Sequence, residues 1–224
     1  VDSIVKIDQL SEKAQQYNYE SIAITDFANL FGFLKFYKSV RSKGIKPIAG
    51  AEINHVRDSS SHNEHANLTL IAKNQLGYKN LIKLISKSQI VGKTSGIPVI
   101  ETEWLAEHSD GLIALSGGFR GHIGKAVLDT NHDLFLKRIK YFQKIFKEDF
   151  ILEISRINRP QEDLYNDYIL SKAGELGLPV VATNEVRFID KEDYEAHETR
   201  VCIQKGEVLS LSLIHISEPT RRVL

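Results

Sequence analysis

The amino-acid sequence predicts a parallel α/β protein, and three observations carry that expectation. Six short β-type runs recur along the 224 residues, and most are continuously apolar, as strands buried on both faces are. Segments of helical period separate them, and strands alternating with helices are the signature of a parallel sheet covered by helices. Polar residues gather just after the strands, where such folds build their sites.

In chain order, Ile7, Leu10, Ala14 and Tyr17 recur three or four apart and read as one face of a helix. The run SIAIT (21–25) follows, ending in Thr25-Asp26-Phe27. A helix is expected from about Leu30 to Lys43, with Leu30, Leu34, Tyr37 and Val40 on one face and Gly44 as its stop. KPIAGAEI (46–53) ends in Glu52-Ile53-Asn54 and gives way to a polar loop, 54–66. NLTLIA (67–72) ends in Ala72-Lys73-Asn74. GLIALS (111–116) runs into the glycine-rich GGFRGHIG (117–124), with a helix from about Ile123. Phe135, Ile139, Phe142 and Phe146 are in register for a helix from about Leu134 to Phe146. DFILEIS (149–155) precedes a helix that opens at Pro160 and closes at Gly177, proline inside the start and glycine past the end. LPVVATN (178–184) leads to Asn184-Glu185-Val186-Arg187, and YEAHETR (194–200) is again helical.

Composition bounds the function. The chain is 42% hydrophobic and 26% charged, near the globular average. Lys+Arg and Asp+Glu both count 29, so this is not a module that holds DNA mainly by net charge. Cys202 is the single cysteine, which excludes an internal disulfide and argues against a cysteine zinc site. That suits a reducing cytoplasm. No apolar run approaches the length of a membrane helix, and no signal segment is visible, so no membrane partner is expected.

The sequence opens at Val1 and contains no methionine, so it reads as an excerpt of a longer protein. Its end differs from the rest. SLSLIHISEPTRRVL (210–224) continues no period, and LSLIHISEPTR (211–221) resembles a translated sequencing-library adapter. The expected organisation is one domain over 1–208 and a non-native tail over 209–224.

Several residue groups are site candidates, each with a plainer alternative. His55, His62 and His65, with Glu64, have zinc-ligand chemistry, but a flexible loop lacking supporting hydrogen bonds seldom holds a metal. His108, His122 and His132 fall near turns or helix starts and are expected at the surface, and His197 against the strand ends. Asp26, Glu52, Glu153 and Glu185 all sit at strand ends. Together they would suit Mg²⁺ or Mn²⁺ or acid–base chemistry; separately they would cap helices or pair with Arg156 or Arg187. Gly117, Gly118 and Gly121 suit either a phosphate cradle or a tight turn, without matching a nucleotide-binding fingerprint. Lys35, Lys38, Arg41, Lys43 and Lys46 form a solvated basic face or a weak nucleic-acid contact.

Five segments in order are specific to a family: AITDFANLFGFLKFYK, GIKPIAGAEI, NLTLIAKNQLGYKNL, GLIALSGG and LPVVATNEVRFIDKEDYEAHE. From Val1 to about Val208 the chain resembles the N-terminal PHP (polymerase and histidinol phosphatase) domain of bacterial DNA polymerase III alpha subunits. The resemblance implies a distorted seven-stranded β/α barrel whose first strand, with a His-x-His pair, lies upstream of Val1. It implies that active members hold several metals at the barrel mouth and hydrolyse phosphoesters through a metal-bound hydroxide.

Carried over position by position, the resemblance implies a degenerate site. Asp2 and Glu52 keep a ligand type. Phe27 stands for a histidine in Thr-Asp-His, Asn67 for a histidine, Gly118 for a cysteine or histidine. Glu185 and Arg187 stand for the acid and histidine of an Asp-x-His pair. The implied function is that of a catalytically silent PHP domain within a DNA-directed DNA polymerase. It would brace the polymerase and dock the proofreading exonuclease subunit beside other replicase subunits, and DNA would be met through the whole protein. No cofactor is then expected for this domain, and Mg²⁺ would serve the polymerase. The alternative is an active phosphoesterase or 3′–5′ proofreading nuclease using Zn²⁺ or Mn²⁺.

Overall fold

The computed structural model describes residues 3–56, 65–94 and 96–206. All six expected strands form: β1 (Ser21–Ile24), β2 (Lys46–Val56), β3 (Ala66–Ala72), β7 (Leu112–Leu115), β8 (Phe150–Ile154) and β9 (Val180–Ala182). They make one curled sheet in the order β1-β2-β3-β7-β8-β9, a half-barrel. Three strands of two residues were not foreseen: β4 (Lys93–Thr94), β5 (Ile97–Pro98) and β6 (Ile100–Glu101). β6 pairs beside β2 as the seventh member of the sheet, while β4 and β5 form a small hairpin.

The sheet is not wholly parallel, which corrects the sequence reading. β3 runs antiparallel to both neighbours, β2 and β7, whereas β1–β2, β2–β6, β7–β8 and β8–β9 are parallel. Parallel neighbours need a crossover connection of about a dozen or more residues, and β3 begins at Ala66, too soon after Val56 for one. One strand therefore points the other way, and its N-terminal end, not Ala72-Lys73-Asn74, joins the mouth formed by the C-terminal ends of the others.

The helices are α1 (Ile7–Gln16), α2 (Phe33–Ser42), α3 (Gln75–Ile90), α4 (Thr102–Glu107), α5 (His122–Leu128), α6 (His132–Phe146), α7 (Glu162–Leu176) and α8 (Tyr194–Lys205). Asn74 caps α3 by accepting the Gly77 N–H at 3.0 Å. Gly177 closes α7 in the left-handed conformation. The main core lies between the curled sheet and α3, α5, α6 and α7. Ile53, Leu68, Leu70, Leu84, Phe135, Phe142, Phe150 and Tyr165 are buried there. A second cluster joins Leu10 and Ala14 of α1 to Phe36 and Val40 of α2 and to Ile189.

Two histidine expectations are corrected. His55 is not in the polar loop: it is fully buried in β2, 5.1 Å ring to ring from His122 and packed against Phe142. His122 is likewise buried, and its Nε2 lies 3.0 Å from the His55 carbonyl oxygen. Both rings face inward because their strand and helix positions do, and a hydrogen bond makes a buried imidazole tolerable. His197 is buried beside Phe188. His62, Glu64, Asp2 and the segment 209–224 lie outside the described residues.

Candidate functional site

The strand ends converge on a cluster of three carboxylates. Glu52 projects from β2, where the backbone of the Asp26–Ala28 loop runs alongside it. Phe27 bridges to Glu52 through the main chain, and the Ala28 N–H donates to the Glu52 carbonyl at 2.8 Å. Asn67, at the start of the reversed strand β3, donates its side-chain N–H to Glu52 Oε1. The expected positions 27, 52 and 67 are thus together. The Phe27 ring itself is 44% exposed, so it leaves the cluster's chemistry to others.

Glu153, at the end of β8, is the buried member. Its Oε2 accepts the Gly117 N–H and its Oε1 the Thr183 hydroxyl, both at 2.8 Å. Burial pushes this carboxyl above its usual range, and the charges of Glu52 and Glu185 push the same way against those two hydrogen bonds. Ser116 Oγ accepts the Glu153 N–H at 2.9 Å and the Tyr165 hydroxyl donates to its carbonyl at 2.8 Å, so its backbone is held from both sides.

Gly117 is the turn that makes this contact. Its φ of 76° is left-handed, and a Cβ there would fall 2.1 Å from the Asn67 carbonyl oxygen. The glycine-rich stretch is therefore a tight strand-to-helix turn. Gly118 opens a single turn of 3₁₀ helix, Gly118–Arg120, that aims Arg120 back at the mouth.

Glu185 is the charged member. Arg120 meets its Oε1 at 2.5 Å, Arg159 bonds the same oxygen, and Arg187 approaches Oε2 at 3.5 Å. Burial alone would raise this carboxyl, but the guanidiniums of Arg120 and Arg159 dominate and bring it down to about 2. Arg159 is set by its loop: the buried Glu162 carboxylate accepts the N–H groups of Ile157 and Asn158 at 2.9–3.0 Å. One carboxylate thus ties together the loops after β7, β8 and β9.

Sequence reasoning named Glu52, Asn67, Glu185 and Arg187 and left open which acid Arg187 meets; the structure puts it beside Glu185. It missed Arg120 and Arg159 as partners of that acid. Arg120 stood visible inside the glycine-rich loop, while Arg159, in INRP, follows no period that marks it. Gly118 contributes backbone only.

Among the described residues, the acids of the mouth are taken up by protein donors and do not suit a metal cluster. Glu185 is committed to guanidiniums, Glu52 to an amide, and Glu153 to a backbone N–H and a hydroxyl. Among the described residues no group of three or more His, Cys, Asp or Glu is arranged to hold an ion.

The profile of the PHP domain family matches residues 1–157. The chain is 43% identical over 209 residues to the DNA polymerase III subunit alpha of Vibrio cholerae. It is 42% identical over the same length to that of Escherichia coli K12. Each alignment takes in 93% of this chain and 18% of the relative, so the chain spans about a fifth of the length of these curated relatives. Among solved structures, it resembles a putative metal-dependent phosphoesterase from Bifidobacterium adolescentis, with TM-score 0.54, 12% identity and 82% of both chains covered. It also resembles an amidohydrolase from Chromobacterium violaceum, solved with bound sulfate and no metal, with TM-score 0.53, 11% identity and 84% of both covered. At such identities these two neighbours speak for the fold alone.

Proposed function

The chain belongs to the PHP domain family, and on that premise we propose that it is the PHP unit of a DNA polymerase III alpha subunit that no longer hydrolyses phosphoesters. In this reading the unit occupies residues 1–208. The parent protein extends a DNA primer in the cytoplasm with Mg²⁺ at a separate polymerase site. The PHP unit braces that polymerase and docks the proofreading exonuclease subunit.

The observation that carries the reading is the Glu185 clamp. A catalytic metal cluster neutralises carboxylates with divalent ions that also polarise substrate. Here Arg120, Arg159 and Arg187 surround the acid instead. Guanidiniums are permanently charged and can stabilise an anion, but they bind no hydroxide. The remaining positions, Phe27, Asn67 and Gly118, add no metal donor of the histidine type. The cluster therefore keeps the acids of a phosphoesterase mouth and puts them to structural use.

The test is to purify the full-length protein, measure its metal content, and assay 3′–5′ nuclease and phosphodiesterase activity with added Zn²⁺ or Mn²⁺. Sub-stoichiometric metal and no hydrolysis above a Glu52→Ala variant are expected. Stoichiometric Zn²⁺ or Mn²⁺ with activity lost in Glu52→Ala would establish the alternative, an active phosphoesterase or built-in proofreading nuclease.

A further inference from the structure

Phe31, just before α2, is 90% exposed, and Phe27 is 44% exposed. A lone exposed apolar residue is ordinary, but the loop that carries these two rings is tied down along its length. The Ala28 N–H donates to the Glu52 carbonyl at 2.8 Å, and the Gln89 side chain donates to the Ala28 carbonyl at 2.9 Å. The amide of Asn29 then joins the two ring-bearing residues. Its N–H donates to the Phe27 carbonyl at 2.9 Å, and its oxygen accepts the Phe31 N–H at 3.0 Å. One side chain thus holds the backbones of both phenylalanines, so little backbone freedom is left to lose when something packs on the rings.

The helix that follows adds cations. Leu34, Lys38 and Arg41 come after Phe31 at intervals of three, four and three, all exposed, on the side of α2 opposite the buried Phe36 and Val40. At 1.5 Å of rise per residue, Lys38 stands about 10 Å and Arg41 about 15 Å along the axis from Phe31. Arg41 lies over the Tyr37 ring, 5.7 Å from its centroid. From Phe27 to Ala51 the sequence has five cations and no acid. Asp8 reaches α2 from α1, but Lys35 meets it at 3.1 Å and the Ser39 hydroxyl also bonds it. Asp26 is half-buried beside Gly32. Among the described residues no carboxylate pairs with Lys38 or Arg41.

We propose that the Phe27–Phe31 loop and the outward side of α2 bind single-stranded nucleic acid, with bases on the two rings and phosphates on Lys38 and Arg41. An exposed phenyl ring accepts any base on its face, and cations beside it follow the backbone. The chain has no net charge, so charge alone would not hold a strand, and the rings supply the rest. Leu34, between the rings and the cations, gives apolar contact to a sugar or base. A polypeptide could also pack on the rings, but it would have to bring acids in register with Lys38 and Arg41. A strand brings a phosphate with every base. This contact is separate from the exonuclease docking proposed above and from the carboxylate cluster.

The test irradiates the full-length protein with oligothymidylate of about a dozen nucleotides carrying 5-iodouracil, which cross-links to a ring stacked on it. Adducts are located by mass spectrometry. Capture is expected at Phe31 or Phe27 and above that at Tyr17 and Tyr19, which are 49% and 41% exposed and serve as internal controls. The yield should fall about tenfold when Lys38→Glu and Arg41→Glu are combined, and fall with added salt in the unaltered protein. The salt series keeps the test decisive even if the double variant folds poorly. Competition by unlabelled oligothymidylate against oligouridylate then tells a DNA strand from an RNA strand, and preference for either supports the site.

No adduct at the two phenylalanines above the tyrosine controls, or a yield indifferent to salt, would overturn the proposal. A second arm places the photo-cross-linking residue p-benzoylphenylalanine at position 31 of the full-length protein in its own host cells. Capture of nucleic acid there supports the site. Capture of a polypeptide and no nucleic acid would overturn it and give the face to a protein partner.

Discussion

Replacing Glu185 by glutamine tests the clamp directly. The substitution keeps the shape and removes the charge that Arg120, Arg159 and Arg187 share. The carboxyl stands at about 2 against an ordinary 4.5. That difference of about 2.5 units, at about 1.4 kcal/mol each, gives at most about 3 kcal/mol at pH 7. The sign follows from proton counting. Below about pH 4.5 the unfolded chain takes up a proton that the native acid refuses, so the contribution is present above pH 4.5. It declines as the pH falls and is gone below about pH 2. Hydrogen exchange by mass spectrometry on the full-length protein reads the local opening of residues 117–121, 155–160 and 183–188. About 3 kcal/mol corresponds to roughly hundredfold faster exchange of those amides in Glu185→Gln at neutral pH. The gap between the two proteins should shrink to below about 1 kcal/mol by pH 2.5, after correction for intrinsic rates. A difference below about 0.5 kcal/mol at pH 7, the range of an ordinary surface substitution, would refute the clamp.

Three further outcomes are expected. Gly117→Ala should destabilise the mouth by roughly 2 kcal/mol or more, because it combines a left-handed φ with a backbone oxygen in the way of the methyl group; unchanged exchange of the β7–α5 turn would contradict this. Glu153→Gln should be neutral or mildly stabilising at pH 7. Its buried carboxyl is raised, so the native state binds a proton more readily than the unfolded chain, and ionising it costs stability as the pH rises past its ordinary range; a loss above about 1 kcal/mol in thermal unfolding would count against it. Phe142→Ala, at a position almost fully buried between His122 and Phe150, should cost about 3–5 kcal/mol and deplete soluble protein, and wild-type yield would contradict the core assignment.

Strand positions were legible because burial on both faces writes them as uninterrupted apolar runs. Direction was not. The reversal of β3 depends on what joins it to β2, and a polar connection without helical period was the visible clue. α3 went unread, although Leu81, Leu84, Ile85 and Ser88 are its buried face, because the run also carries lysines and a glycine at Gly77. The site divides the same way. Glu52, Asn67 and Glu185 were found through strand ends and resemblance. Arg159 was not, because its place is fixed by Glu162 gripping the loop's backbone, a three-dimensional fact with no sequence period. His55 was misplaced because β2 runs on to Val56, three residues beyond the apolar pattern that announced it.

Phe27 bears on which positions of the mouth are free to change. Its attachment is made by main-chain atoms, through the bridge to Glu52 and the neighbouring Ala28 N–H, so the loop's path makes no demand on the ring. A position held in this way can drift. A substitution there changes one side chain and leaves the backbone bonding unaltered. Arg120 and Arg159 are bound differently, since each is coupled through its side chain to Glu185. In the reading proposed here, a histidine could stand at position 27 at little cost, yet no ion would be held until those two arginines had gone as well. The mouth is thus open to substitution at one residue and tied through side chains at the others.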